Sequence, residues 1–339
     1  TRSSNRRAYM LSHCRFGHSS LLRNFCQRVI DHDDFHPGFE GWAHSAIKGI
    51  PESSECACSV CAVAKLKRKG PQGQTKRNLS TPTTDHPVDH WLYVDIAEPD
   101  TSALDGSRYQ LVGVLIPGHT EANDERMFYF CESLRTKAEA TAVVRGWLGL
   151  CAGLEDLKVS RYISDGAQEL GGRSVAEFCR EKGISPHTVC PATPWRNMAE
   201  RGIQTVNSMI RALLEDSQLP VGTWPAAMKH SVIVLNYLLQ KPNSFNWPNM
   251  EHCYTGSPKR ILRFGQRIYA KTNDTHVGPK IGNVGVLNGV YVGTNSDGTI
   301  NMLVDVQANE IKRLRDVKVV KLELYAGSRN SPAVFSFAG

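Results

Sequence analysis

Three carboxylates of this chain occupy positions that favour metal binding. Asp95 lies inside the apolar run YVDI, Asp165 closes the strand-like run RYISD, and Glu200 opens a periodic stretch after PWRNMA. An unpaired carboxylate inside an apolar strand is costly, so Asp95 needs a partner or a cation. Asp165 stands at the carboxyl end of a strand, where open α/β sheets usually bind ligands. Three such groups can hold two Mg²⁺ ions about 3.5–4 Å apart for an in-line phosphoryl displacement.

Each carboxylate also has an ordinary interpretation. An acid in the first turn of a helix, as Glu200 would be, complements the helix dipole, and an Asp before a glycine, like Asp165, is a common turn residue. Asp95 could hydrogen-bond at a strand end, and Glu169 could compete with Asp165 for a metal. Like charges this close cannot all remain ionised without cations. The metal site therefore depends on whether the fold brings all three together.

A second set of ligand-type residues lies near the amino terminus. His13 and His18 precede a Cys-x2-Cys pair, Cys58 and Cys61, and the interval between the two pairs lacks a long periodic element. Two imidazoles and two thiolates complete a closed, structural Zn²⁺ site, and a segment this polar needs the metal to fold. The alternative ligands are Cys56, which is a rival, and the weaker candidates Cys14, His32, His36 and His44.

The middle of the chain predicts a mixed sheet covered by helices. Runs rich in aromatic and β-branched residues predict strands, and periodic runs with capping residues predict helices. The predicted order is strands at 91–98, 108–116 and 126–134, a helix at 136–152, a strand at 158–165, a helix at 172–183 and a strand at 184–190. Three consecutive strands followed by α/β alternation give a five-stranded mixed sheet in an α/β fold.

An amphipathic helix is predicted after Asn197, with a second helix at 224–240. Spacings of three and four define its buried stripe, which is Ile203, Val206, Ile210 and Leu213. The opposite stripe is Glu200, Gln204, Asn207 and Arg211. This polar stripe could contact phosphates or bases, or it could be a solvated face. In the preceding loop, Trp195 and Arg196, with Asn197 beside them, could stack on or pair with unpaired nucleotides.

Charge divides the chain into three parts. The 339 residues carry a net charge of +7, distributed as +7 over 1–80, −6 over 81–255 and +6 over 256–339. Basic flanks can neutralise nucleic-acid phosphates, and an acidic centre suits a carboxylate metal site; ordinary charge scatter is the alternative. The run after the cysteines is a basic linker that could contact phosphates through Lys65, Lys67, Arg68 and Lys69.

Further bulk properties limit the class of protein. The length predicts two or three domains, and short strands broken by glycines at 267–272, 284–294, 299–306 and 311–322 predict a small all-β unit. No run of 18 apolar residues exists, so no membrane span is predicted. Ten scattered cysteines indicate a reducing compartment with one metal site. The chain begins at Thr1 without a signal-peptide pattern, which suggests a piece of a longer chain.

Five blocks together resemble the integrase of copia-type LTR retrotransposons, a retroviral-type integrase cut from a Pol polyprotein. SHCRFGHSS with CSVCAVAK resembles the zinc-binding pre-integrase segment. YVDIAEP and SDGAQEL resemble the first two catalytic motifs, and TPWRNMAERGIQTVNSMIRALL resembles the third motif and its helix. RFGQRIYAK, GVLNGVYVGT and RLRDVKV resemble the β-rich region beyond the core. The similarity covers nearly the whole chain in the right order.

The resemblance implies a fold and a domain order. It implies a multidomain α/β protein with an RNase H-like catalytic core, a mixed five-stranded sheet with helices, between an amino-terminal zinc-binding domain and a small SH3-like all-β domain. The expected units are a zinc-binding domain at 1–64, a basic linker at 65–87, the core at 88–245, a β-rich domain at 256–325 and a tail at 326–339.

The resemblance also implies an activity. Asp95, Asp165 and Glu200 would be catalytic and bind two Mg²⁺ or Mn²⁺ ions, and one Zn²⁺ would be structural. The enzyme would trim the 3′ ends of element DNA and join them to target DNA. Implied partners are double-stranded DNA and further copies of the chain, without a membrane. The implied location is the nucleus, after a stage in cytoplasmic virus-like particles.

This chain departs from the family pattern near each of the three motifs. Gly166 follows Asp165 where the family has Asn, and Glu98 replaces a glycine after the first Asp. One residue is missing between Asn197 and Glu200. A catalytically degenerate relic that serves as a nucleic-acid-binding or assembly module is therefore the alternative function. A nuclease that hydrolyses RNA in hybrids is a third, although it needs neither a zinc segment nor a β-rich tail.

Overall fold

The computed structural model describes residues 2–19, 21–31, 43, 46–48, 58–64, 89–117, 127–152, 158–189, 198–239, 261–271, 286–294, 299–305, 310–314 and 317–319. The predicted linker at 65–87 and tail at 326–339 lie outside these ranges. So do the possible nucleic-acid contacts Lys65, Lys67, Arg68, Lys69, Trp195, Arg196 and Asn197, and the alternative zinc ligands Cys56, His32, His36 and His44.

A mixed five-stranded sheet forms the centre of the molecule, as the sequence predicts. Its strands are β1 (His90–Ala97), β2 (Tyr109–Pro117), β3 (Phe128–Leu134), β4 (Val159–Ser164) and β5 (Ser185–Thr188). Their order in the sheet is β3-β2-β1-β4-β5. The pairs β1/β2 and β2/β3 are antiparallel, whereas β1/β4 and β4/β5 are parallel. Parallel neighbouring strands must be joined by crossover connections, which are usually α-helices.

Helices cover the sheet. They are α4 (Ala140–Ala152), preceded by a 3-10 turn at Lys137–Glu139, then α5 (Gln168–Gly171), α6 (Arg173–Glu181), α7 (Met198–Ser217) and α8 (Trp224–Leu239). α6 confirms the helix predicted at 172–183, and the short α5 precedes it outside the predicted range. The four residues predicted to form the buried stripe of α7 are all buried.

Alternation along the strands sorts apolar side chains onto the two faces of the sheet. Leu92, Val94 and Tyr162 lie in one cluster with residues of α4 and α6. Tyr93 and Ile163, one position along, lie in a second cluster with residues of α7 and α8. Asp95 follows Tyr93 by two residues and therefore shares the face that α7 and α8 cover.

The amino-terminal part contains α1 (Arg2–Arg15), α2 (Leu22–Asp31) and α3 (Ser59–Ala64). The prediction that the interval after His18 lacks a long element was wrong, because α2 lies there. Phe16 and Phe25 place their ring centroids 5.8 and 5.0 Å from that of Tyr237 in α8. The apolar side chains of this part therefore join the larger core cluster.

The carboxy-terminal part is all-β, as predicted. It contains β6 (Arg267–Lys271), β7 (Val286–Thr294), β8 (Ile300–Asp305), β9 (Glu310–Leu314) and β10 (Val317–Val319). These strands pair antiparallel in the order β10-β6-β7-β8-β9. Val290, Val292 and Leu303 share a core cluster with α8. Among the described helices, none combines the length and apolar content of a membrane span.

Candidate metal centres

The strand register places two of the predicted metal ligands side by side. Val94 of β1 and Ser164 of β4 are direct partners in the parallel pair. The next residues are Asp95, within β1, and Asp165, directly after the end of β4, so they lie at the same level of the sheet. Neighbouring strands lie about 4.8 Å apart. Two carboxylates from segments far apart in sequence thus meet at one end of the sheet.

Glu200 joins them from the first turn of α7. The pKa of Asp95 is raised to about 6, mainly by burial and in addition by the charges of Asp165 and Glu200, against a hydrogen bond that the Ile96 amide donates to Asp95 Oδ1 at 2.8 Å. The pKa of Asp95 responds to both carboxylates because they are near it. The structure therefore brings together the three residues that the sequence singles out.

The three carboxylates form an open cluster. Asp165 is exposed, whereas Asp95 and Glu200 are half-buried. Their oxygens are not among the described groups whose ligand atoms all lie within 4.8 Å of one another. Like charges at this spacing repel, and bound cations offset the repulsion. Glu169, the predicted competitor, is not among the charges that act on the pKa of Asp95.

Gly202 lets α7 approach the sheet closely enough to bring Glu200 to Asp95. A Cβ at position 202 would lie 2.5 Å from Val114 Cγ2, 3.4 Å from Tyr129 Cε1 and 3.6 Å from Val112 Cγ1. Val112 is the direct antiparallel partner of Asp95. A side chain at 202 would thus lift the helix at the point where it faces the site.

Gly202→Ala is expected to destabilise the protein by about 1–3 kcal/mol, since buried Val114 cannot move aside in a packed core. Urea unfolding measures the change. The matched control is Gly146→Ala in α4, where an added Cβ has no atom within 4 Å. At that exposed helical position Ala should stabilise by about 0.5–1 kcal/mol. Equal effects of the two substitutions would contradict the close approach.

Because the pKa of Asp95 is raised, the free energy of unfolding of the magnesium-free protein falls as the pH rises. The folded state retains the Asp95 proton to about pH 6, whereas the unfolded chain loses it near pH 4. Unfolding therefore becomes easier between about pH 4 and 6, by an amount on the order of 3 kcal/mol. Asp95→Asn removes this change and stabilises the magnesium-free, zinc-loaded protein at pH 7.

Thermal unfolding from pH 4 to 8 checks the Asp95 prediction. Asp100→Asn, the same substitution at an exposed position beyond the end of β1, is the control and should leave the pH profile of the parent. An Asp95→Asn protein that is less stable than the parent at pH 7 in the absence of magnesium would refute the prediction.

The four predicted zinc ligands converge in the described structure. His13 Nε2 lies 3.1 Å from Cys61 Sγ, and His18 Nδ1 lies 3.4 Å from Cys58 Sγ and 3.7 Å from Cys61 Sγ. All four are buried, and their ligand atoms lie within 4.8 Å of one another. In tetrahedral zinc sites the bound N and S atoms are about 3.5 Å apart. The donor set and its spacing therefore fit one Zn²⁺.

A further carboxylate contacts this centre from α7. Asp216 Oδ2 lies 3.4 Å from His18 Nε2. Arg263, before β6, donates from Nε to Oδ2 at 2.7 Å and from Nη2 to Oδ1 at 2.5 Å. Burial alone would raise the pKa of Asp216, but hydrogen bonds from His18 and Arg263 keep that pKa below its ordinary value. Cys14, a weaker predicted ligand, also lies within 4.8 Å of His18 and Asp216.

The polar stripe of α7 is exposed at Gln204 and Arg211 and half-buried at Asn207. Arg211 Nε donates to the Ala64 carbonyl at 3.1 Å, which connects α7 to α3. Gly17, in the turn that carries His18, packs against the same helix, since a Cβ there would lie 2.8 Å from Met209 Cε. The helix that carries Glu200 thus also supports the zinc ligands.

Sequence reasoning missed Gly202, Asp216 and Arg263. Asp216 has one signal, because an acid in the last turn of a helix is disfavoured by the helix dipole and so needs a partner. Gly202, in the middle of an amphipathic helix, marks a close approach. Arg263 carries no signal, because its partner lies 47 residues earlier in the chain.

The sequence of the chain is similar to that of a transposon Pol polyprotein. No protein-family model matches the chain. The chain is 24% identical over 220 residues to the retrovirus-related Pol polyprotein from transposon TNT 1-94 of Nicotiana tabacum, a match that covers 63% of this chain and 15% of that polyprotein. The catalytic core domain of BIV integrase aligns with 46% of this chain and 88% of its own, at 17% identity and a TM-score of 0.32, too low to establish a shared fold. The sequence relative confirms the predicted resemblance to a fragment of a retrotransposon Pol polyprotein.

Proposed function

We propose that the chain is a retrotransposon integrase that trims the 3′ ends of element cDNA and joins them to target DNA by two-metal polynucleotidyl transfer. The observation that carries the proposal is the meeting of Asp95, Asp165 and Glu200 at one end of the sheet, where the charges of Asp165 and Glu200 act on the pKa of Asp95. The similarity to a Pol polyprotein supports it. The mixed sheet and its covering helices form, in this proposal, an RNase H-like core.

The carboxylates suit hard cations. Oxygen donors of this type are what Mg²⁺ and Mn²⁺ bind. Burial, and to a smaller extent the charges of Asp165 and Glu200, raise the pKa of Asp95, and a bound cation would offset those charges. Asp95, Asp165 and Glu200 would hold these ions. Two ions bound there supply activation of the attacking oxygen and stabilisation of the leaving oxygen.

The other residues of α7 and its approach loop position the DNA in this proposal. Gln204 and Asn207 lie on the same stripe as Glu200 and would contact phosphates or bases near the reacting end. Arg211 is already engaged with Ala64 through Nε, so its Nη groups remain for that role. Water is the first nucleophile and a DNA 3′ hydroxyl the second, so no covalent enzyme intermediate forms.

The flanking parts have supporting roles. One Zn²⁺ held by His13, His18, Cys58 and Cys61 would stabilise the amino-terminal helices, and the carboxy-terminal sheet would be an SH3-like domain. Joining two DNA ends in one reaction requires more than one active site, so the working form is a homo-multimer on double-stranded DNA. In this proposal the protein acts in the nucleus, after a stage in cytoplasmic virus-like particles.

An assay that follows trimming and joining of the 3′ ends of a labelled DNA duplex tests the proposal. The zinc-loaded protein is incubated with the duplex and Mg²⁺ or Mn²⁺, and products are separated on a denaturing gel. Metal-dependent trimming and longer, joined strands are expected. Cleavage restricted to RNA in a hybrid would assign the chain to the hybrid nucleases instead.

A degenerate relic is the competing function, motivated by the residue missing between Asn197 and Glu200. Despite that shorter loop, Glu200 lies in the first turn of α7 and acts on Asp95. This geometry favours an active enzyme. Retained DNA binding with neither trimming nor joining, under either metal, would favour the relic.

A further inference from the structure

Asp216 connects the zinc ligands to the segment that precedes the carboxy-terminal sheet. Its carboxylate is 6% exposed and lies between two cationic or proton-donating partners, the His18 ring and the Arg263 guanidinium. His18 turns Nδ1 toward the cysteines and Nε2 toward Asp216. A histidine that binds metal through one ring nitrogen commonly gives the other N–H to a carboxylate, which fixes its tautomer and orientation.

The segment at 261–265 is closely fitted to the end of α7. Gly265 has a φ of +77°, and a Cβ there would lie 2.4 Å from Ser217 Cβ, the residue after Asp216. The Arg15 side chain donates to the Ile261 carbonyl from the amino-terminal side. Gly265 N in turn donates to the Tyr291 carbonyl of β7 at 2.8 Å. Contacts therefore run without a break from the zinc ligands to the second sheet.

The position of Asp216 is costly without these partners. It stands in the last turn of α7, at the negative end of the helix dipole, and a buried carboxylate needs compensation. Arg263 compensates with a two-pronged pair, which holds both groups in one orientation. The Asp216 carboxylate is held between His18 and Arg263. Movement of the His18 ring would therefore displace this carboxylate, and Arg263 would move with it.

We infer that Asp216 is a positioning residue that orients His18 for zinc and, through Arg263, makes the docking of the 261–271 segment depend on zinc occupancy. The inference rests on the zinc centre proposed above. Glu200 in the first turn and Asp216 in the last turn are about 24 Å apart along the same helix, at 1.5 Å per residue. Zinc binding is thus linked to the alignment of the helix that carries the catalytic glutamate and to the position of the carboxy-terminal sheet.

Zinc affinity and amide hydrogen exchange test the inference on the full chain. Affinity is measured by competition with a chromogenic chelator, and exchange is followed in peptides that cover 261–271 with and without zinc. The variants are Asp216→Asn, which keeps the shape of the side chain, and Arg263→Gln. Glu181→Gln, at an exposed carboxylate of α6, is the control.

Zinc removal is expected to speed exchange at 261–271 in the parent protein. Asp216→Asn should weaken zinc binding roughly 10- to 100-fold, while its Co²⁺-substituted form keeps the thiolate-to-cobalt absorption of the intact ligand set. Arg263→Gln should weaken zinc binding less than Asp216→Asn does, because Arg263 does not touch His18, yet make exchange at 261–271 fast with or without zinc. Glu181→Gln should match the parent throughout.

Unchanged zinc affinity in Asp216→Asn would overturn the inference. The same rate of amide hydrogen exchange at 261–271 in the parent with and without zinc would also overturn it. If Asp216→Asn does not fold, the Arg263→Gln comparison decides alone. If the parent chain binds no zinc, both the zinc centre and this inference are overturned. If the parent binds zinc and Asp216→Asn binds it equally well, only the inference is overturned.

Discussion

Asp165→Asn lowers DNA joining by at least about a thousandfold, because removing one charge from a two-metal site removes several kcal/mol of transition-state stabilisation. The fold should survive the change. Asp165 is exposed, and its structural contact is the Ala167 amide donating to Oδ1 at 3.3 Å. Asn retains that acceptor oxygen. The joined product in the duplex assay measures the effect, and zinc content and thermal unfolding report on the fold.

The matched control for Asp165→Asn is the same substitution at Asp89. Asp89 precedes β1 at the opposite end of the sheet and pairs with Lys158 at 3.8 Å on the surface. Surface pairs of this kind contribute at most about 1 kcal/mol, so Asp89→Asn should join DNA like the parent. Undiminished joining by Asp165→Asn would remove Asp165 from the catalytic set.

Cys61→Ser abolishes stoichiometric zinc binding and loosens the amino-terminal helices. Cys61 Sγ is the shared contact of both histidines, at 3.1 Å from His13 Nε2 and 3.7 Å from His18 Nδ1. Structural Zn²⁺ sites contribute about 10–16 kcal/mol in all, so loss of one of four ligands should cost at least about three orders of magnitude in zinc affinity. Metal analysis and proteolysis of α1–α3 measure both effects.

Cys14→Ser provides the control for the zinc ligands. Cys14 is half-buried and near His18, yet it is not part of the four-ligand group. The variant should keep one zinc per chain. A zinc-free Cys14→Ser protein beside a zinc-loaded Cys61→Ser protein would show that the ligand set is assigned wrongly.

Most of the central sheet could be predicted from the sequence because its signals are local. β1 to β4 carry aromatic and β-branched runs, and α7 carries apolar residues at helical spacing, so pattern alone defines them. The carboxylates were identifiable for the same reason, since Asp95 stands in an apolar strand and Asp165 at a strand end. The zinc ligands were identifiable from a Cys-x2-Cys pair, whose spacing suits a single metal.

The features that could not be predicted from the sequence depend on contacts between segments that are distant in the chain. α1 and α2 are too polar on average to be recognised, and the contacts of Phe16, just after α1, and Phe25 with α8 appear only in the folded chain. The role of Gly202 follows from its close contact with Val114, which only the folded structure shows. Asp216 acquires its partners from both ends of the chain. Periodicity describes one element at a time and carries no information about such neighbours.

The domain layout stays a prediction, but the packing refines it. Residues of the amino-terminal helices, α7, α8 and β7 share one apolar cluster. Folding of the flanking parts is therefore coupled to the core through buried side chains as well as through Asp216. Separately expressed flanks should be less stable than the same residues in the whole chain.

The central claim is that Asp95, Asp165 and Glu200 form one carboxylate site for divalent metal. Calorimetric titration of Mn²⁺ into the zinc-loaded protein, with a bound duplex end, tests it most directly. The predicted result is carboxylate-dependent binding of two Mn²⁺ per site, lost in Asp165→Asn and in Glu200→Gln but retained in Asp89→Asn. Absence of such binding, or binding that is the same in all four proteins, would contradict the claim and leave the chain a non-catalytic relative of integrases.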